Sequence, residues 1–453
     1  MRTYLAKTKP IPPTARVSWH LRALPCFAAL FLWAGYFQEL AAGSIDRAPL
    51  GTVFLGLMTG ALAGYLLLFL IPAAMGMQTG YPTAVLGSST FGSRGGLLIP
   101  GPLLALVLSA WLGAAAWLAA QGVALIAGGE SSGAWLRPIT VVLWAGAFAW
   151  AGHSSLRAVA IASSCLVAFP LLALFIGLVA AGPGIPQWEM EVPEPLFGYA
   201  YTTHLVAAFI APFAAASPAV SRLLASKRDL RRAGLLGISA PAFLAGLAAL
   251  LIVAGARALN PGIEDLRFLS AAAGLSGLSA TAVLPLIAAG AIPASWFIAW
   301  LALDSAKVMF PGLPRPALSL GVAAVAVLIA FSGLPGDLSL FITLSGALCA
   351  PLCGIMAADY WQHERRWPHT RPGVNYAGFG AWILGVFAGA VHLMPIPEHF
   401  QRLAHPAALL AWAAGFAGYI VLGNLGLKPY RKHRRRRART DAWEEPAPPL
   451  GLR

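Results

Sequence analysis

Two tryptophans, Trp111 and Trp117, stand deep inside one apolar run, and a glutamate, Glu39, stands inside another. Tryptophan in a bilayer-crossing helix usually marks the headgroup level, where its ring and its N–H are both satisfied. Trp111 instead falls near the middle of its run when residues are counted at about 1.5 Å each. A flat ring at that depth either packs against neighbouring helices or offers a stacking surface. Offset stacking contributes about 1 kcal/mol beyond the area buried. Phe209 and Phe213 face the same choice, packing or the second face of an aromatic sandwich. A carboxylate within an apolar run is costly and marks function unless it reaches water at the interface. Glu39, with Gln38 beside it, is open to both readings. His204 follows Thr202 and Thr203, and a lone histidine of this kind is more often packed than proton-carrying. Asp304 and Lys307, about one turn apart, are expected to pair with each other. Asp359, near His363, Arg365 and Arg366, reads as a helix-end charge or a gate contact.

Composition sets the frame that must position these groups. The 453 residues are 58% hydrophobic and 11% charged, with mean hydropathy +0.72, whereas soluble domains carry about a quarter charged residues. An all-α integral membrane protein is expected. The net charge of +14 collects at the ends and in particular loops, without a basic face interleaved with aromatics, so nucleic-acid binding is set aside. No His/Cys cluster or nucleophile–base constellation stands near a membrane face, so an enzyme is not expected and no cofactor is implied. Cys26, Cys165, Cys349 and Cys353 all lie in apolar runs and are expected to be buried and inert. The first apolar run is as long as a span and lacks a cleavage site, so it is expected to stay in the protein.

Runs of about 20 apolar residues give roughly twelve spans, near 24–44, 50–75, 97–127, 139–151, 158–181, 197–220, 235–253, 280–303, 318–331, 338–358, 376–393 and 407–425. An even count puts both ends on one face, and both are basic: Arg2, Lys7, Lys9, Arg16 and Arg22 in front, KPYRKHRRRRAR behind. The segments SRLLASKRDLRR and HERRWPHTRP read as loops on that face, while Glu189, Glu191 and Glu194 fall on the other. The positive-inside rule therefore places both termini in the cytoplasm. Residues 428–453 are expected to be a disordered basic tail lying against lipid.

The order of motifs around Trp111 resembles the nucleobase–cation symporter-1 family of cytosine, allantoin, hydantoin and hydroxymethylpyrimidine permeases. Gly76, Thr79, Gly80 and Pro82 resemble its approach segment. Phe91, Gly92, Arg94 and Gly95 resemble its turn, and Trp111, Gly113 and Trp117 its third span. A second match runs from Pro351 and Gly354 to Asp359 and Tyr360, and continues with Gly373, Asn375, Ala377, Trp382 and Gly385. A weaker one begins at Pro218 and Arg222, where Ala219 and Val220 replace the family's Asp-Tyr pair. Around Glu39 and Gly43 the likeness is to the hydroxymethylpyrimidine branch.

The resemblance implies a LeuT-like fold in which spans one to five (23–181) and six to ten (197–360) form inverted repeats and 376–427 adds two helices. Residues 1–22 are then a basic cytoplasmic segment, 182–196 an extracytoplasmic loop and 361–375 a cytoplasmic loop. Substrate sits near the midplane of such folds, beside broken first and sixth helices. By resemblance, Trp111 takes the stacking position, while the family's substrate-binding glutamine is Ala115 here. Ile298 replaces a polar substrate-facing residue, and Ser295 retains one hydroxyl of the cation-site pair. A sodium site would draw on Ser295 and backbone carbonyls near Ala34. Because that set is sparse in oxygen, proton coupling through Glu39 is an equal expectation, and Glu39 is also placed to meet an aminopyrimidine edge. Trp117 and Gln38 are the remaining substrate-site candidates. The implied activity is cation-coupled import of a small planar nitrogen heterocycle, a nucleobase, pyrimidine or thiamine-precursor-like compound, across the inner membrane, with H+ or Na+ as coupling ion. The alternatives are a LeuT-like amino acid or amine carrier, and a transport-inactive membrane sensor or membrane-embedded enzyme.

Overall fold

The computed structural model describes residues 3–127, 135–189, 194–263, 265–275, 278–395 and 397–428. The expectations for Arg2, Glu191 and the basic tail from Pro429 onward lie outside these residues. Regular structure within them is helical, with one isolated parallel bridge between Val17 and Leu224. Nine of the described helices are long and apolar enough to cross a membrane, and Leu136–Ala151 and Arg315–Phe331 are shorter apolar helices. The first apolar run is divided into Trp19–Phe31 and Ala34–Phe37. The all-helical membrane architecture is therefore as expected.

Several spans run past their expected ends because hydropathy marks only the portion suited to hydrocarbon, whereas backbone hydrogen bonding continues into the polar interface. The seventh extends over Lys227–Leu259 rather than 235–253, so the basic stretch SKRDLRR is its first two turns and not a loop. Ser226 starts that helix, its hydroxyl accepting from the Asp229 N–H, an ordinary N-cap. The eighth runs over Leu278–Met309. The glycine-, serine- and threonine-rich approach to the third span (Gly101–Ile126) coils into Thr83–Thr90 and Gly92–Gly95.

Two interruptions shape the interior. In the first span the helical ladder ends where Leu32 N–H bonds the Ala28 carbonyl at 3.2 Å, Trp33 turns extended, and Tyr36 N–H restarts it on the Trp33 carbonyl at 2.9 Å. A helix end leaves its last carbonyls without helical N–H partners. Gly35 permits the turn, since a Cβ there would strike the folded-back Trp33 ring. The sixth span, Pro195–Ala215, stops before Pro218–Ser221, and Pro218 has no N–H with which to continue it.

The third, sixth and tenth (Leu338–Gln362) spans are the most enclosed, while the eleventh (Tyr376–Leu393) and twelfth (Ala407–Leu427) are largely peripheral. Both described ends sit on one face. Ile11 N–H bonds the Gly80 carbonyl at 3.0 Å, Gln78 bonds Tyr360 at 2.8 Å, and Lys428 lies over the Tyr419 ring and bonds Gln362. Cys26, Cys349 and Cys353 are buried, but Cys165 is exposed, because the fifth span turns that side of its helix outward.

Candidate functional site

The buried Trp111 ring is the centre of an aromatic cluster. Phe341 lies 4.8 Å from it between centroids, Phe209 5.0 Å, Phe213 5.5 Å and Trp33 6.3 Å. Tyr36 adds a contact to Phe209 at 4.9 Å, and its hydroxyl donates to the Ala242 carbonyl at 2.7 Å. The third span thus meets the sixth, the tenth and the broken first around one ring. The Trp111 Nε1–H is buried and has no hydrogen-bond acceptor. An unsatisfied buried donor costs about 1–3 kcal/mol.

The other candidates occupy three further places. Ala115 and Ile298 are fully buried on their helices. Trp117 lies one end of the third span away, toward Gly336 in the turn before the tenth span, and is no part of the ring cluster. Gln38 and Glu39 follow the broken helix and hold the short helix Phe268–Ala273 that connects the seventh and eighth spans. The Gln38 side-chain oxygen accepts from Leu269 N–H at 3.1 Å and its carbonyl from Phe268 N–H at 3.1 Å. Arg267 Nε donates to Glu39 Oε1 at 2.9 Å, and Phe37 packs on Phe268 at 4.5 Å. These contacts cap the site on the face opposite the termini.

The Ser295 hydroxyl accepts from the Trp144 indole N–H at 2.9 Å, and the Ala34 carbonyl accepts from Gln38 N–H at 2.8 Å. The Ser295 hydroxyl and the Ala34 carbonyl therefore each accept one protein hydrogen bond, which leaves a lone pair on each. Among the described residues no group of three or more His, Cys, Asp or Glu is arranged to hold a metal ion. The Leu32 carbonyl at the break lies against Gly290 of the eighth span, where a Cβ would stand 2.8 Å from it. An apolar cleft of about 310 Å³ runs from His20 along Ala28 to Leu32, Pro170 and Gly290.

On the terminal face, Val17 N–H bonds the Leu223 carbonyl at 2.7 Å and Ala225 N–H bonds the Val17 carbonyl at 3.1 Å, closing the stretch after the second break. Asp304 pairs with Arg222 at 2.6 Å and not with Lys307. Arg222 reaches across from the segment after the sixth span, a tertiary partner that helical spacing could not show. Ser217 and Ser221, beside that break, have buried hydroxyls without partners. Asp359 is fully buried; His363 at its own helix end stands 3.6 Å from Oδ1, and the closer partners come from elsewhere, Arg371 and the Tyr419 hydroxyl each donating to Oδ1 at 2.8 Å. Burial alone would lower the Arg371 guanidinium, but the Asp359 carboxylate and the Tyr419 hydroxyl together offset this and hold it above its ordinary value. His204 is packed, bonding Thr343 at 3.0 Å and accepting from Ala408 N–H at 3.1 Å.

Trp33, Phe341, Arg267, Arg371 and the two serines were not identified from sequence. A tryptophan two residues before Gly35 was a usable signal for the first. The others depend on contacts between distant segments.

No protein-family model matches the chain, and no curated protein matches it. Among solved structures, the inward-facing conformation of Mhp1 is similar with a TM-score of 0.62 at 18% identity, over 93% of this chain and 96% of that one. A closed conformation of Mhp1, a nucleobase-cation-symport-1 family transporter with bromovinylhydantoin bound, gives 0.61 at 18% identity, over 92% and 96%. A substrate-bound, outward-open Na+-coupled sialic acid symporter gives 0.57 at 14% identity, over 92% and 93%. At such identities the likeness is one of fold. The chain is a multi-pass membrane protein with the LeuT-type fold of these transporters.

Proposed function

We propose that the chain is a secondary active transporter that imports a small planar nitrogen heterocycle, of nucleobase, pyrimidine or thiamine-precursor type, by cation-coupled alternating access. The observation that carries this reading is the Trp111 indole: a flat ring enclosed by rings from three other spans, with a buried N–H that lacks an acceptor. A flat heterocycle entering between Trp111 and Phe209 or Phe213 would stack on one face and offer a ring nitrogen or carbonyl to that N–H. The loss of the family's glutamine at Ala115 shifts recognition toward stacking and this single donor. The similarity to a carrier holding bromovinylhydantoin supports the substrate class.

Alternating access requires separable closures on the two sides of the site. Glu39–Arg267 with Gln38–Leu269 is one; Val17 against Leu223 and Ala225, with Arg222–Asp304, is the other. The basic residues on the face that carries both ends support a cytoplasmic placing of that face, and the inner membrane is the membrane proposed. With only Ser295 and the backbone carbonyls near Ala34 to offer oxygen, a proton is at least as well supported as sodium as the coupling ion, with Glu39 its candidate carrier when Arg267 swings away.

The test is uptake of radiolabelled cytosine, uracil, hydantoin, allantoin and hydroxymethylpyrimidine into proteoliposomes under an imposed proton or sodium gradient. Accumulation of at least one compound under one gradient is expected. No accumulation of any planar heterocycle under either gradient would reject the reading.

A further inference from the structure

A cavity lies away from the ring cluster, on the face that carries both ends. It is a groove of about 810 Å³ between the second span, the start of the seventh and the end of the tenth. Its two halves differ in chemistry. Leu66, Leu70 and Ala74 of the second span line one part; Lys227, Arg231, Arg365 and Arg366 line the other, with Glu364 as the single acid. All four cations are exposed, and none has an ion-pair partner among the described residues. Four cations against one carboxylate leave the groove with a net positive charge that an anion would neutralise.

The groove also has a fixed frame. Trp367 donates its indole N–H to the Leu86 carbonyl at 3.2 Å and packs on Tyr81, while Gln78 bonds Tyr360 at 2.8 Å beneath it. Glu364 and Arg365 hold left-handed backbone, at φ 53° and 60°, which turns the chain back after the tenth helix and brings two arginines opposite Lys227 and Arg231. Leu66, where the second span widens into a π-turn, is an exposed apolar side chain of its lining. Exposed Trp361 stands at the rim, the headgroup depth that tryptophan favours.

We propose that this groove is a binding site for an anionic glycerophospholipid of the leaflet on the terminal face, its phosphate held by Lys227, Arg231, Arg365 and Arg366 and one acyl chain lying along Leu66, Leu70 and Ala74. The pairing of halves selects a lipid over a free anion, because a soluble phosphate ester has no use for the apolar floor. It selects an anionic headgroup over a zwitterionic one, because a choline would bring a fifth cation. The lipid bridges the second, seventh and tenth spans. The assignment stands on this groove alone and is independent of the transport reading.

The experiment uses the full chain purified in detergent. Native mass spectrometry and thermal melting are followed with added phosphatidylglycerol, phosphatidylcholine or inorganic phosphate. Retained phosphatidylglycerol and a raised Tm with that lipid alone are expected. Removing each groove cation should weaken binding roughly fivefold, so Arg231→Gln/Arg365→Gln should lose most of the shift. Arg228→Gln/Arg232→Gln removes the same charge from the exposed outer side of the same helix and should keep it. Arg366→Gln alone serves if the double variant does not fold. Equal loss in both double variants would mean diffuse attraction and overturn the site. An equal shift from phosphatidylcholine, or from phosphate alone, would overturn it as well.

Discussion

Arg267 and Glu39 stand 228 positions apart in the chain and meet at 2.9 Å, tying the connector before the eighth span to the broken first one. Arg267 is 42% exposed and Glu39 only 8%, so the pair sits at the water edge of the site and is worth on the order of 1 kcal/mol. That magnitude suits a closure that must open on every cycle. Arg267→Gln should raise the open fraction about fivefold, measured as faster thiol labelling of a cysteine placed at Ala115. Unchanged labelling would remove the pair from the gate. Under proton coupling, Glu39→Gln should also flatten the pH dependence of uptake.

The indole of Trp111 can be dissected into ring and N–H. Trp111→Phe retains an aromatic surface and removes only the unpartnered donor. Loss of one hydrogen bond of about 1–1.5 kcal/mol predicts roughly tenfold weaker heterocycle binding. Trp111→Ala should in addition destabilise the fold by about 3–5 kcal/mol, since the four rings around it lose their packing. Equilibrium binding of labelled substrate and thermal melting in detergent separate the two. Equal affinity for Trp111→Phe and the parent would show that the N–H takes no part.

These residues show what a sequence can carry. Trp111, Phe209 and Phe213 could be singled out because large rings at mid-span are visible in a hydropathy trace, and they do meet. Trp33 and Phe341 complete the same cluster yet lie in unremarkable apolar runs, because which helix faces which is a property of tertiary packing. Asp304 was matched by spacing to Lys307, but Arg222 had the better approach from another span. Lys227 to Gly234 read as loop because charge ends a hydropathy window, though it does not end a helix. The helical membrane class followed from composition alone; Arg267 and Arg371, the cationic partners of Glu39 and Asp359, sit in connectors, where hydropathy and periodicity say nothing.

Gly290 is an independent probe of the first break. A methyl there would stand 2.8 Å from the Leu32 carbonyl and 3.0 Å from Pro170 Cβ, closer than either can tolerate without moving. Gly290→Ala should cost about 1–3 kcal/mol by overpacking and alter ion dependence as the break carbonyls shift. Gly321→Ala, inside the helix Arg315–Phe331 with nothing within 4 Å, is the matched control and should leave ion dependence unchanged and Tm the same or slightly raised. The comparison is made by thermal melting and by uptake at graded sodium and proton gradients.

Acid should weaken the outer end of the peripheral helices. His405 precedes the twelfth span, its ring 4.6 Å from His392 and 5.1 Å from His204, and its Nδ1 is buried without a partner. Burial, with a smaller contribution from His392, pushes its pKa down from 6.5 to about 4. A depressed histidine pKa means the folded state binds the proton less readily than the unfolded chain. Its contribution is therefore whole above about pH 6.5 and is lost as pH falls toward 4, on the order of 3 kcal/mol. Melting of the purified protein across that window should show the decline, and His405→Gln should make it shallower. An identical slope in the variant would place the acid sensitivity elsewhere.

Asp359 is the residue whose loss should be felt most on the terminal face. Its Oδ1 accepts from both Arg371 and Tyr419, and Arg371 in turn donates to the Ser89 carbonyl. Asn375 bonds the Thr90 carbonyl at 2.7 Å in the same cluster, so one carboxylate joins the tenth and twelfth spans to the approach before the third. Asp359→Asn leaves a guanidinium buried without its counter-charge, a cost of about 3–5 kcal/mol. Replacing both partners, Asp359→Leu with Arg371→Met, removes the uncompensated charge and should recover much of that loss. A double variant no more stable than Asp359→Asn would mean that the bonds of Arg371 to the Ser89 carbonyl and to Tyr419, and not its pairing with Asp359, hold the cluster together. Thermal melting of the three proteins in one detergent decides between them.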